Sequence, residues 1–422
     1  MVTGHFGTAP TTTGKPQACI MSTEAVSRIE AMDSTIRLAY ALISSLGLMM
    51  IAIAATLMGP AFPSMMQEFV IPYATLGLVA SIWNVGYVVT PIGGAISDRY
   101  GEPIVLATSF VATLSAVGLA SIAGDFFGLL GLFLVAGMGA AFGEVSMNSL
   151  LSKLYPRRRG FALNVLHLFF SLGAFLGPML SGFLIASYGS WRLPYLVTCI
   201  AGIPLSLVAI MLVLKTRLAK CSEVPSREVV PQPDGQLLDA FFNGRALLVA
   251  GFFYFSAEVG ANAWLPTFLI FERGFTIELA SVSIGLFWAF MALGRLVLGN
   301  LADRVGYRKL IFSCALASAI SILAAIFVEE THLIIALWCF SGFALGPIMP
   351  TIFAWTTILF PNRRGLATGV VYSVGLMGGV FSPWLMGALA DLYNLEIAAL
   401  CMTLSAFAIA GVALTLRRDS QH

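Results

Sequence analysis

Gly94-Ala-Ile-Ser-Asp98-Arg99-Tyr-Gly101 returns, 205 residues later, as Gly299-Asn-Leu-Ala-Asp303-Arg304-Val-Gly306. The same offset carries Pro156 onto Pro361, Arg158 onto Arg363, Gly160 onto Gly365 and Pro178 onto Pro383. A short string can recur by chance, but a register kept across four further positions marks an internal duplication. The two halves are parallel copies of one unit, joined by a polar stretch from about Lys215 to Asn243.

The solvent of this unit is a bilayer. Hydrophobic residues make up 58% of the 422-residue chain and charged residues 10%, against roughly 25% charged in an ordinary soluble domain. The mean hydropathy is +0.90. A net charge of +2 is too small to suggest a nucleic-acid partner. The six cysteines are scattered without metal spacing and read as small apolar residues. A duplicated membrane unit points to a two-lobed transporter with its site between the lobes.

Twelve apolar segments can be marked, near 38–61, 73–97, 103–123, 127–152, 160–187 and 191–214, then 245–271, 278–301, 309–328, 332–359, 365–390 and 396–416. Each is long enough to cross a bilayer at about 20 residues per span. The expected fold is an all-α membrane protein of twelve transmembrane helices in two six-helix lobes. Its parts are a disordered N-terminus (1–34), a first lobe (35–214), a linker (215–243), a second lobe (244–418) and a short tail (419–422). The linker reads as solvated, with a short interfacial helix near Leu237 to Phe242. Met21 and Met32 are alternative starts, and the first apolar run reads as a retained helix, not a cleaved signal. An even number of spans puts both termini on one side. Lys153, Arg157, Arg158, Arg159, Lys215, Arg304, Arg308, Lys309 and Arg363 share that side, whereas the opposite loops offer only Arg192 and Arg273. The positive-inside rule makes both termini cytoplasmic, in a plasma (inner) membrane.

The repeated GxxxDRxG string lies on the loop after the second segment of each half. Gly94 and Gly299 are expected to allow close helix contact, and Asp98 and Asp303 to face a neighbouring helix N-terminus. Doubled and in register, the string resembles the signature loop of the major facilitator superfamily, over about residues 35–418. The resemblance implies that Gly94, Asp98, Arg99 and Gly101, with Gly299, Asp303, Arg304 and Gly306, form a conformational latch. The first copy departs from the family pattern, since Glu102-Pro103 replaces a basic pair that the second keeps as Arg308-Lys309.

Polar side chains inside the spans are the candidates for chemistry. A charge at the bilayer centre costs about 2.5–3.5 kcal/mol on insertion scales, so one retained there generally faces a cavity or a partner. Glu144 shares a helix face with Asn148, and Glu258 with Asn262; Asn164 and His167 share another. Desolvation disfavours a charged carboxyl, so Glu144 and Glu258 are proton-coupling candidates. The runs Gly143–Leu151, Arg159–Phe170 and Ala257–Phe268 resemble the fucose–galactose–glucose:proton symporter branch. That likeness implies proton-driven sugar uptake, with Glu144 linked to substrate and proton and Asn164 contacting sugar. Fucose-type members carry an aspartate four residues before a proline in the first helix; here Gly59 stands before Pro63, and coupling falls to Glu144 or Glu258.

Asn148, Asn164, His167 and Asn262 are expected to bond substrate hydroxyls, and Trp264 and Trp288 to stack on a ring or pack. Tyr254, Trp338, Trp355, Tyr372 and Trp384 read as belt or packing residues. Arg295 is expected to snorkel to the near interface or pair with a latch residue. Gly173–Gly182 resembles, in part, the fifth-helix signature of proton-coupled drug exporters of the same superfamily. No nucleotide-binding loop, nucleophile–base pair or metal cluster stands out, so neither an enzyme, a cofactor nor a metal is expected. The partners expected are a small-molecule substrate, a proton and lipid, with the chain working as a monomer.

Overall fold

The computed structural model describes residues 34–218, 235–299, 301–360 and 364–416. Expectations for residues 1–33, for the linker over 219–234 and for the tail from 417 lie outside the described residues, as do the side chains of Arg157 and Asp303. Among the described residues eleven helices are long and apolar enough to cross a bilayer. The bent pair Tyr73–Val88 and Thr90–Tyr100, at 43°, completes a twelfth. The near face of the bundle is the one carrying the two ends of the described chain, and the far face is its opposite.

The duplication is visible in the backbone. The third span is Glu102–Ala120 and the ninth Tyr307–Phe327; the fourth is Phe126–Leu154 and the tenth runs from Thr331 to Leu359. Starts, and for the latter pair ends, are 205 residues apart. Asp125 caps the fourth span by accepting from the Gly128 amide at 2.8 Å. Glu330, its repeat partner, caps the tenth by accepting from the His332 and Leu333 amides. Those two amides hold the exposed Glu330 carboxyl below its ordinary range.

Two further spans are interrupted, one in each lobe. The first is broken into Ser34–Thr56 and Met58–Phe69, extending eight residues beyond its expected end. The tenth is broken into Thr331–Leu345 and Ile348–Leu359, at Gly346-Pro347. Side chains of other helices donate to carbonyls beside the break of the first span. Ser181 Oγ donates to the Leu57 carbonyl at 2.9 Å, and Asn262 Nδ2 to that of Ala55 at 3.3 Å. The seventh helix, Gly235–Arg273, starts well before its apolar stretch, so the segment expected as a separate interfacial helix continues into the span.

Leu196, Ile200, Ile203, Leu207, Met211 and Leu214 are all exposed along the sixth helix, Arg192–Leu218. That spacing is one helical stripe, as a lipid-facing surface requires. The lobes meet through the second span with the eleventh (Arg364–Leu392), the fifth (Arg159–Tyr188) with the eighth (Ile277–Gly299), and the first with the seventh. Their tightest approaches are toward the far face. A Cβ on Gly77 would lie 2.3 Å from the Pro383 carbonyl oxygen, and one on Gly387 2.3 Å from that of Tyr73.

Candidate functional site

A cavity of about 660 Å³ lies between the lobes. Tyr87, Thr90, Glu144, Asn148 and Leu163 line it from the first half, and Phe353, Thr368, Gly369 and Tyr372 from the second. Small-molecule sites span about 300–1,000 Å³. Asn148 and Phe353 are repeat partners, as are Leu163 and Thr368, so the cavity straddles the axis relating the halves. Equivalent positions therefore face one space with unlike chemistry. The cavity walls come from the near-face parts of the second, fourth, fifth, tenth and eleventh spans, while the close lobe contacts are on the far side.

Three of the expected residues meet on one wall. Asn148 Nδ2 donates to the Glu144 carbonyl at 2.8 Å, and Asn148 Oδ1 lies 3.3 Å from His167 Nε2. The Tyr87 hydroxyl faces the Glu144 carboxyl. His167 is exposed although it lies within a span, as a side chain facing an open cavity is. Asn164, one turn away, is also exposed and makes no hydrogen bond among the described residues.

Glu258 is buried in the second lobe beside a cation. Its Oε1 lies 3.3 Å from Arg295 Nη2 and accepts from the Tyr254 hydroxyl at 3.0 Å. Arg295 Nε reaches the Gly346 carbonyl at 3.4 Å. That carbonyl lacks a helical donor because the residue four positions on is Pro350. Arg295 thus turns inward, correcting the expectation that it snorkels or joins the latch: a paired carboxylate and a freed carbonyl compensate the guanidinium better than lipid headgroups would. Glu144 and Glu258 lie within electrostatic reach across the lobe boundary, as do His167 and Arg295. Sequence reasoning missed Arg295, and set aside Tyr254 and Tyr372 as packing. The available signal was an opposite charge in the neighbouring span.

Asn262, Trp264 and Trp288 are not brought to the cavity. Asn262 bridges the break of the first span and Trp288 Nε1, which donates to it at 3.2 Å. Trp264 is buried, donating to the Pro383 carbonyl at 2.9 Å, with Phe62 and Tyr73 edge-on to its ring. These residues join the lobes toward the far face, where their polar atoms are spent on backbone or on each other.

In the repeated loops Gly101 has φ 91° and ψ 139°, and Gly306 has φ 91° and ψ 140°. Asp98, Arg99 and Arg304 are exposed. A Cβ on Gly94 would meet only Val145, at 3.9 Å, and Gly299 has open space where a Cβ would point. Neither position shows the close helix contact expected of it among the described residues. Glu102, where the family pattern has a basic residue, pairs with Lys153 and accepts from Ser149 Oγ at 2.9 Å.

Known proteins agree with this architecture. The cis,cis-muconate transport protein of Acinetobacter baylyi is 27% identical over 342 residues, which is 78% of this chain and 81% of that protein. The hexuronate transporter of Bacillus subtilis is 24% identical over 353 residues, covering 78% and 82%. A solved bacterial homologue of the human lysosomal transporter Spinster, inward-facing and unoccupied, superposes with a TM-score of 0.75 at 16% identity, covering 91% of this chain and 96% of that one. The sequence profile of the Major Facilitator Superfamily matches residues 44–301 and 278–422. The chain belongs to the Major Facilitator Superfamily of membrane transporters.

Proposed function

We propose that this protein imports a small polar solute by alternating access, driven by protons. The observation carrying this reading is the cavity that straddles the lobe boundary, with Glu144, Asn148 and His167 on one side and Tyr372 on the other. A site shared by two lobes changes its accessible face when they rock against each other. With both termini cytoplasmic in a plasma (inner) membrane, as the basic loops indicate, the cavity opens to the cytoplasm. The latch loops then stand open in this state and close when the lobes meet at the near face. One chain contains the whole site, so the working unit is a monomer.

Glu144 and Glu258 carry the coupling proton between them. Two carboxyls within reach of each other in a poorly solvated site do not both stay charged at low cost, and a proton relieves them. The sugar-symporter resemblance supports sugars or polyols as cargo. Relatives named for cis,cis-muconate and hexuronate extend the candidates to small acids. Export in exchange for protons is the second reading, suggested by the Gly173–Gly182 run. Ser181 of that run, however, is used on the Leu57 carbonyl.

Uptake into proteoliposomes tests this reading, using radiolabelled sugars and small acids with and without acid outside. Accumulation that requires the gradient and collapses with a protonophore is expected. Accumulation surviving both Glu144→Gln and Glu258→Gln would remove these residues from coupling. Solute movement only outward, against entering protons, would favour the exporter.

A further inference from the structure

We propose that Arg295 anchors a carboxylate on the transported solute, and that the solute takes this place from Glu258, which then carries a proton. The proposal rests on the transport reading above and narrows its cargo to organic anions. Arg295 Nη2 is occupied by Tyr254 and Glu258, and Nε by the Gly346 carbonyl. Nη1 has no hydrogen-bond partner among the described residues, yet the side chain keeps 27% of its surface exposed inside the bundle. Arg295 lies on the eighth span, which packs across the lobe boundary against the fifth span, the one that carries His167. A guanidinium held at one edge and open at the other suits a carboxylate, which it binds bidentately.

Glu258 holds its place by one oxygen at 3.3 Å, a contact that a two-oxygen ligand can outcompete. A carboxylate displaced from its cation in that buried position is costly, and protonation removes the cost. The exchange balances. One solute carboxylate arrives, one proton from water in the open cavity bonds to a Glu258 oxygen, and the net charge of the site is unchanged. The other groups facing this pair are Tyr254 on the same helix, Tyr372 on the eleventh span, Glu144 on the fourth and His167 on the fifth. Only Arg295 among them is a permanent cation, and so only it distinguishes an anion from its neutral analogue at every working pH.

The test is binding to the purified full chain by calorimetry, with glucuronate against glucose, benzoate against benzyl alcohol, and cis,cis-muconate against its diamide. At least one acid is expected to bind about 30-fold or more tighter than its neutral counterpart. Titration in buffers of different ionisation enthalpy should show one proton taken up per acid bound. Arg295→Gln is expected to weaken the acid about 100-fold, as for loss of one partner of a desolvated charge pair. Arg295→Lys, which keeps the charge that Glu258 requires and hence the fold, weakens it about tenfold by losing the fork. Glu258→Gln retains acid binding and abolishes proton uptake. Equal binding of acid and neutral analogue, or acid binding indifferent to Arg295→Gln, overturns the proposal. Proton-driven uptake of glucose that persists in Arg295→Gln sinks it while leaving the transport reading intact; transport of neither class by the wild type sinks both.

Discussion

Gly306 and Gly101 hold the same backbone conformation, near φ 91° and ψ 140°, at the turn between two spans. That region is open to glycine and strained for every residue with a Cβ, at about 1–3 kcal/mol. Gly101→Ala and Gly306→Ala are each expected to lower the unfolding temperature of the purified protein, and by similar amounts. Gly299→Ala, with open space for the methyl, should be tolerated; an equal loss at Gly299 would mean that side-chain crowding, not backbone strain, limits these loops. The last glycine of each repeated string stood in the sequence only as part of the latch signature, and its special dihedral is a finding of the structure. The role of the first glycine was not legible either, because how closely a neighbouring helix approaches Gly94 or Gly299 is set by tertiary packing. Glu144 and Glu258 were legible as costly charges, whereas the partner of Glu258 is 37 residues away and on another helix.

The boundaries of the helices follow the apolar runs closely, since a bilayer imposes length and composition on every span. The differences come at the early start of the seventh helix and at the breaks of the first and tenth spans, where Ser181, Asn262 and Arg295 of other helices donate to backbone carbonyls. The far ends of the lobes are tied by a repeated geometry with reversed charges. Glu68 of the first span pairs with Arg192 of the sixth at 2.5 Å, and Arg273 of the seventh with Glu396 of the twelfth at 2.8 Å. Glu68 and Arg273 are repeat partners. Both far-face arginines are therefore compensated by acids.

A different tie crosses between the lobes. Asp391, at the end of the eleventh span, accepts from the amides of Tyr73 and Ala74 at 2.8 and 2.7 Å. A carboxylate at a helix N-terminus is favoured by the dipole and by unsatisfied amides, at about 0.3–1 kcal/mol when exposed. This contact exists only while the far face is closed. Asp391→Asn is expected to raise the far-open population about two- to fivefold, the equivalent of that energy. Spin-label distances across the far ends of the second and eleventh spans would show it; an unchanged distribution would remove Asp391 from the gate.

Closure of the far face depends on small residues at the lobe boundary. Beyond Gly77 and Gly387, a Cβ on Gly182 would lie 2.1 Å from Ser281 Oγ, and one on Gly285 2.9 Å from the Phe175 carbonyl oxygen. Gly77→Trp cannot fit against the Pro383 carbonyl, so this variant is expected to hold the lobes apart at the far face and abolish turnover. The same spin-label pair should lengthen by several ångströms, a displacement on the order of one helix ridge. Wild-type distances with full transport would show that the glycine contact is dispensable.

The amino-acid sequence by itself determined the duplication and the number and placement of the spans. Each of these follows from rules that act along the chain: the register of a repeat, bilayer thickness and hydropathy. Only the tertiary structure decided which polar groups share the cavity. It sent Asn262, Trp264 and Trp288 to the closed far side, and it brought Arg295 to Glu258 instead of the membrane surface. Helix rotation and lobe position set those contacts, through close glycine approaches and the Gly346 carbonyl freed by proline. Neither is written in the hydropathy of any single span.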